Sequence, residues 1–192
     1  MITAIVLAAG ASRRMGKPKM ALTWGETTVL GQVLLTIQSA GIEDVLVVTG
    51  AADDIVGAIA RSAGAFIVHN PDFEAGEMLS SLQVGLRAMP PSRTGALVVL
   101  GDQPGIEPSV IRSVIQASTS DVSLVVPSFQ RRRGHPWIAG SRWWAEILAM
   151  RPPDTLRDFL NRHADEITYV DAGAASVLQD IDTPEDYANS RS

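Results

Sequence analysis

Apolar residues recur along this chain in two rhythms. Unbroken apolar runs of strand length cover residues 4–8, 44–49, 65–69, 96–100, 123–127 and 167–170. They do not alternate with polar residues, so they suit strands covered on both faces, as in a parallel sheet. Between them the spacing becomes helical: Val29, Leu30, Val33, Leu34 and Ile37, then Leu79, Leu82, Leu86 and Met89, then Val110, Ile111, Val114 and Ile115. Pro108 stands near the start of that last helix, where a missing N–H costs nothing. Trp144, Ile147 and Leu148 follow Ser141 as a cap, and Trp137, Trp143 and Trp144 are expected to pack around that helix. Thr183-Pro184-Glu185-Asp186 opens a terminal helix with a cap residue, a first-turn proline and acids set against the dipole.

Strands alternating with helices predict the α/β class, as a three-layer α/β/α, doubly wound, mostly parallel sheet with right-handed crossovers. Ligands of such sheets bind beyond the carboxyl ends of the strands, near the point where strand order reverses. No internal repeat or low-complexity stretch interrupts the pattern. Pro90-Pro91-Ser92-Arg93 and Arg151-Pro152-Pro153 read as loops. The 192 residues are therefore expected to form one domain, 1–192, with its N-terminal part facing a nucleotide and its C-terminal part an acceptor.

Composition removes several function classes. Without cysteine there is no thiolate catalysis, disulfide framework or sulfur-ligated zinc. A net charge of −5 argues against general nucleic-acid binding. No apolar run approaches the roughly 20 residues that span a bilayer, and no secretory signal opens the chain, so no membrane association and a cytoplasmic location are expected.

The first strand runs into Leu7-Ala8-Ala9-Gly10-Ala11-Ser12-Arg13-Arg14-Met15-Gly16-Lys17-Pro18-Lys19. A loop of small residues after a strand leaves backbone N–H groups free to face phosphate oxygens. Arg13 and Lys19 add the charge that amides lack. Two familiar phosphate motifs fail on spacing. A dinucleotide fingerprint would need glycines where Ala8 and Arg13 stand, and a P-loop would need four residues between Gly10 and Gly16, where there are five. The loop is nevertheless more than a glycine-rich connection, because six small residues, two arginines and two lysines share it.

The pattern L-x-A-G-x-S-x-R-M-G-x-x-K in this loop resembles the signature of the molybdenum cofactor nucleotidyltransferases and their wider cytidylyltransferase relatives. The resemblance continues through Asn70-Pro71, Gly101-Asp102-Gln103-Pro104, Gly134-His135-Pro136 and Asp180-Ile181-Asp182-Thr183-Pro184-Glu185-Asp186, in the same order. It implies a Rossmann-like nucleotidyltransferase fold of the nucleotide-diphospho-sugar transferase type. It implies nucleotide contacts from Leu7, Ala8, Ala9, Gly10, Arg13, Met15, Gly16 and Lys19, and acceptor contacts from Gln103, Pro104, His135 and Pro136. Ala9 before Gly10, with Gly101 before Asp102, resembles the cytidylyltransferase type, so CTP is the implied nucleotide and molybdopterin the implied acceptor. A transient contact with a molybdoenzyme or its chaperone is implied as well.

Asp102 follows the apolar run 96–100, so its carboxylate should project into the crevice that holds the first loop. Mg2+ prefers oxygen ligands and keeps one or two carboxylates beside substrate phosphates. Asp102 and Asp182 are the expected metal ligands, with Asp180 competing for the second place. As a plain structural alternative, Asp102 is a turn residue and Asp182 a helix-terminus residue. Gly76, Ser80 and Ser81 open a helix whose first turn could read a base edge, and the spacing does not decide between the two serines. Arg131-Arg132-Arg133 suits an anionic acceptor, although a hairpin tip often carries such charge simply for solvation.

The chemistry expected is attack by a phosphorylated acceptor on the α-phosphorus of a triphosphate, with Asp102, Arg13 and Lys19 as catalytic residues and Mg2+ as cofactor. Other readings remain at this point: transfer to a sugar phosphate or methylerythritol phosphate, a non-catalytic nucleotide-binding regulator, or a nicotinamide-dependent oxidoreductase.

Overall fold

The computed structural model describes residues 1–74 and 77–190. Runs rich in branched residues, which suit a pleated surface, form β1 (Ile2–Leu7), β4 (Val45–Thr49), β5 (Phe66–His69), β6 (Gly95–Leu100), β7 (Leu124–Phe129) and β10 (Thr168–Asp171). Four further strands fall outside the expected runs: β2 (Thr23–Trp24), β3 (Thr27–Thr28), β8 (Arg132–Arg133) and β9 (Trp137–Gly140). The helices are α1 (Val29–Ser39), α2 (Asp53–Ser62), α3 (Glu77–Ala88), α4 (Pro108–Ala117), α5 (Trp144–Ala149), α6 (Leu156–Arg162) and α7 (Pro184–Asn189).

The main sheet has the order β10-β7-β9-β6-β1-β4-β5, with β8 paired to β7, while β2 and β3 form a separate ribbon. β1 pairs in parallel with both β4 and β6. The chain winds outward from β1 through β4 to β5, then returns to β6 on the other side. The carboxyl ends of β1 and β6 therefore flank the reversal of strand order, where a doubly wound sheet opens a crevice.

Residues of β1 divide strictly between two layers. Ala4 and Val6 pack with Leu30, Leu34, Val56 and Ile111, from α1, α2 and α4. Ile5 and Leu7 pack with Leu82, Leu86, Ile147 and Phe159, from α3, α5 and α6. The sheet is thus covered on both faces, and the expected three-layer, mostly parallel class is observed.

Three local expectations need correction. The last crossover is not a single strand–helix step, because β9 inserts antiparallel between β6 and β7. The runs 65–69 and 167–170 are not covered on both faces, since β5 and β10 are the sheet edges and Phe66 is 69% exposed. Ser141 does not cap α5: it opens a 3-10 turn, and Trp143 precedes the helix without a side-chain cap bond. By contrast Thr183 and Asp186 form a reciprocal capping box at α7, with Pro184 in its first turn. Trp137 belongs to β9 rather than to a helix, yet all three tryptophans are packed. Trp137 and Trp143 contact Phe159, and the indoles of Trp143 and Trp144 donate to the carbonyls of Val122 and Ala139. Among the described residues no helix is long and apolar enough to cross a membrane.

Candidate active site

The loop after β1 is held by its own short bonds. Ser12 lies in the left-handed region at φ 48° and Gly16 at φ 65°, a conformation that is cheap for glycine and costly for serine. The Ser12 hydroxyl accepts a hydrogen bond from the Lys19 backbone N–H at 3.2 Å, which ties the two ends of the loop together. Met15 points inward, packed with Leu22, Val29 and Ile181. It anchors the loop from behind.

This closure places Lys19 inside the crevice. Its ammonium donates to Asp102 at 2.5 Å and to Asp182 at 3.0 Å, and it is mostly buried. Arg14 reaches the other oxygen of Asp182 at 2.6 Å. Burial pushes the Asp102 carboxyl upward, against the pull of Lys19. Burial works against charge on Asp182 too, but Lys19 and Arg14 outweigh it and hold that carboxyl below its ordinary range. For Lys19 burial is again opposed, and the two carboxylates keep its pKa raised. Asp180 completes the group: ligand atoms of Asp102, Asp180 and Asp182 lie within 4.8 Å of one another. An all-oxygen set of this kind fits a hard divalent cation.

The crevice has a volume of about 370 Å³ and is walled by Leu7, Ala9, Gly10, Phe73, Ser81 and Leu100 around Lys19 and the aspartates. A neighbouring hollow of about 300 Å³ runs along Gly10, Ser12, Arg13 and Arg14 toward Asp182. Asn70 is fully buried and donates to both Ser80 at 2.9 Å and Ser81 at 3.0 Å. That pair of bonds fixes the first turn of α3, and Ser81 is the serine that lines the crevice.

A second cavity, about 730 Å³, opens beside the crevice, and Met78 lines both. Its wall includes Arg131, Arg132, Arg133 and Arg157, with His135 and Tyr169. The β7–β8 hairpin turns through Gln130 and Arg131, both with positive φ, at 50° and 64°. Gly134 packs against the Val177 backbone, where a Cβ would come within 2.4 Å of the carbonyl oxygen. The backbone of His135 then bonds Val177 at 3.0 Å. Burial pushes the His135 imidazole down to about 4, so it is neutral at pH 7.

The expected site residues thus separate into groups. Leu7, Ala9, Gly10, Lys19, Ser81, Asp102 and Asp182 meet at one crevice, with Asp180 alongside. Ala8 faces the core, and Met15 does likewise, so neither side chain lines the crevice. Gly16 is a turn residue outside it. Arg13 is turned outward, 76% exposed, and pairs at 3.7 Å with Glu74. Gln103 and Pro104 are buried, and the Gln103 Oε1 finds no partner among the described residues. Pro136 is buried as well, leaving His135 as the member of that segment, with Gly134, on the cavity wall. Gly76 lies outside the described residues. Arg14 and Arg157 are the residues that sequence reasoning missed. The signal for Arg14 was present, because in S-x-R-M-G the arginine beside Met15 is Arg14.

Residues 4–167 match the family model described as a MobA-like NTP transferase domain. Nicotine blue oxidoreductase from Paenarthrobacter nicotinovorans is 29% identical, covering 96% of this chain and 93% of its own. Molybdenum cofactor cytidylyltransferase from Escherichia coli K12 is 25% identical, covering 99% and 95%. Rv0371c from Mycobacterium tuberculosis H37Rv superimposes with a TM-score of 0.81 at 30% identity, over 99% of this chain and 97% of that one. The same protein has also been solved in complex with manganese, with a TM-score of 0.77.

Proposed function

The chain belongs to the family of MobA-like NTP transferase domains, and from that premise we propose that it transfers CMP from CTP to the phosphate of molybdopterin with release of pyrophosphate, using Mg2+. In this reading residues 1–192 act as one unit, its N-terminal part serving the nucleotide and its C-terminal part the acceptor. One observation carries the reading: Lys19 bridges Asp102 and Asp182 at 2.5 and 3.0 Å, at the mouth of the loop after β1. A cation and a paired carboxylate set beside free backbone amides is what a triphosphate with a divalent metal requires. CTP is favoured by Ala9 before Gly10 and Gly101 before Asp102, and by the cytidylyltransferase among the relatives.

The acceptor phosphate is already an anion at neutral pH. Its oxygen forms a new bond to the α-phosphorus, while the bond from that phosphorus to the bridging oxygen of the β-phosphate breaks and pyrophosphate leaves with the electron pair. No protein nucleophile is needed. The work of the chain is alignment and charge neutralisation. Asp102 and Asp182, with Asp180 beside them, would hold the cation, which would neutralise phosphate charge. Lys19 and Arg14 meet the charge growing on the leaving group, Gly10 and its neighbours present backbone N–H groups, and Ser81 faces the base. Arg13, on the outer side of the loop, reaches the phosphates only by swinging away from Glu74.

The test is equilibrium binding of CTP, GTP, ATP and UTP with Mg2+, followed by pyrophosphate release on adding molybdopterin. CTP preference and acceptor-dependent release are expected. CTP preference without release would remove molybdopterin as acceptor. A second reading, oxidation or reduction, is favoured by the 29% identity to nicotine blue oxidoreductase, and a nicotinamide cofactor would be its hydride carrier. Hydride transfer gives no use to Lys19 set between two aspartates, and NADPH absorbance in the same mixtures distinguishes the two.

A further inference from the structure

Charge is distributed unevenly between the two cavities. The crevice contains three aspartates and one lysine, so it is net anionic before any cation enters. The larger cavity contains Arg131, Arg132, Arg133 and Arg157 and no carboxylate. None of those four arginines forms an ion pair among the described residues, in a chain whose overall charge is −5. Asp158 acts on Arg157 only from beyond ion-pair distance; like charges gathered at a concave wall without paired counter-ions repel one another, and the site relaxes when an anion enters.

Arg133 is the fixed member of the group. Its Nε donates to the Tyr169 hydroxyl at 2.8 Å and its Nη1 to the Asn161 side-chain oxygen at 2.7 Å. Its guanidinium carbon stands 5.8 Å from the Tyr169 ring centre. Nη2 has no protein partner among the described residues, so this held guanidinium keeps an N–H edge available to an acid. A merely solvated hairpin tip would not need this clamp from α6 and β10.

The reacting phosphate of an acceptor must lie at the carboxylate crevice, because that is where the α-phosphorus is held. No arginine of the larger cavity lines that crevice, and Met78 is the residue that lines both. The two sites are therefore read by different parts of one acceptor. Resting on the nucleotidyltransferase reading above, we propose that the acceptor carries a second anionic group besides its reacting phosphate, bound by Arg133 with Arg131, Arg132 and Arg157. Its substrate class is then a phosphate monoester with a second anionic function away from that phosphate; the dithiolene of molybdopterin is one such group, and a carboxylate or second phosphate would mark a different acceptor of the same nucleotidyl transfer. The neutral His135 and the apolar Leu156, Leu160 and Trp137 wall accommodate the uncharged middle.

Two probes isolate the second group: a six-carbon alkyl phosphate ending in a carboxylate, and the same ester ending in the neutral amide. Calorimetric titration of the full chain with each, in the presence of saturating CTP and Ca2+, reads binding without turnover. The carboxylate probe is expected to bind at least tenfold tighter than the amide. Arg133→Gln and, separately, Arg157→Gln should shrink that ratio while leaving the amide affinity unchanged, with circular dichroism as the folding control. Arg157 is exposed on α6, so its loss does not threaten the fold. Equal affinity of the two probes for the unmodified chain would overturn the proposal, as would Arg variants that weaken both probes alike. Failure of CTP to bind in the same titrations would instead remove the nucleotidyltransferase reading, and the probe ratio measured without nucleotide would still report on the cavity.

Discussion

At the residue scale, the decisive contact is that Lys19 and Arg14 occupy both oxygens of Asp182 while Lys19 also holds Asp102. The cations of the loop stand where a metal would otherwise find its ligands. A triphosphate offers these side chains a better partner, so nucleotide and metal should bind cooperatively. Lys19→Met is expected to raise the affinity for Mn2+ measured by electron paramagnetic resonance without nucleotide, while slowing turnover about a hundredfold or more, on the order of 3 kcal/mol in barrier. Unchanged Mn2+ affinity in that variant would show that Lys19 does not guard the carboxylates. Asp102→Asn keeps the shape and removes the charge. It should abolish detectable pyrophosphate release while CTP still binds, and activity within about threefold, under roughly 1 kcal/mol, would refute its assignment as a metal ligand. The two adjacent arginines provide a contrast: Arg14→Ala should reduce kcat/KM by at least about tenfold. Arg13→Ala loses only an exposed pair worth about 0–1 kcal/mol and should act mainly through the phosphates it swings to meet.

At the element scale, the strands of the N-terminal half and α1, α3 and α4 were legible because continuous branched runs and 3.6-residue spacing both report burial. Val29, Leu30, Val33, Leu34 and Ile37 are all buried, as their spacing requires. The C-terminal half was legible only in part: the runs 123–127 and 167–170 mark β7 and β10, but nothing of that kind marks β9 and α6. β9 is four residues long, and α6 seven, too short for periodicity to stand out. The one local sign of α6 was its capping box, Thr155 with Asp158. The site divided along the same line: Asp102 follows from the end of β6, Lys19 from the loop after β1 and Asp182 from the cap of α7, whereas Arg157 depended on a helix too short for periodicity to announce. The outward turn of Arg13 depended on the 3-10 geometry of three residues. α6 and α5 are joined by His163, which bonds Glu146 at 2.8 Å and Glu166 at 3.1 Å and stacks near Trp143 and Phe159. Burial opposes charge on His163, but the two glutamates outweigh it and raise its pKa. A raised folded pKa gives stability that is complete below the unfolded value near 6.5 and is lost as pH rises through the folded value. His163→Gln should therefore lower the thermal midpoint most at about pH 6, and the difference from the unmodified chain should shrink above that folded value. A midpoint difference constant from about pH 6 to 9 would mean that packing alone, and not the charge, holds α5 to α6.

At the scale of the whole molecule, an acidic protein presents one basic concavity next to one acidic crevice, and both ends of the proposed reaction are anionic. An acidic surface repels both substrates at long range, so capture must depend on local fields. In the proposed reaction the nucleotide would enter with a divalent cation that cancels much of its charge, and its binding should respond weakly to salt. The proposed acceptor would bring its charge uncompensated to Arg131, Arg132, Arg133 and Arg157. The Debye length is about 10 Å at 0.1 M salt and shortens as salt rises, so attraction across the mouth of the cavity is progressively screened. Raising monovalent salt from about 50 to 300 mM should increase the acceptor KM at least about threefold, with the CTP KM changed by less than half as much. The same titration on Arg157→Gln should give a shallower acceptor slope, because one of the four charges is gone. Equal slopes for acceptor and nucleotide would mean that the arginine wall does not draw in the acceptor, and that its recognition rests on shape and hydrogen bonding within the cavity instead.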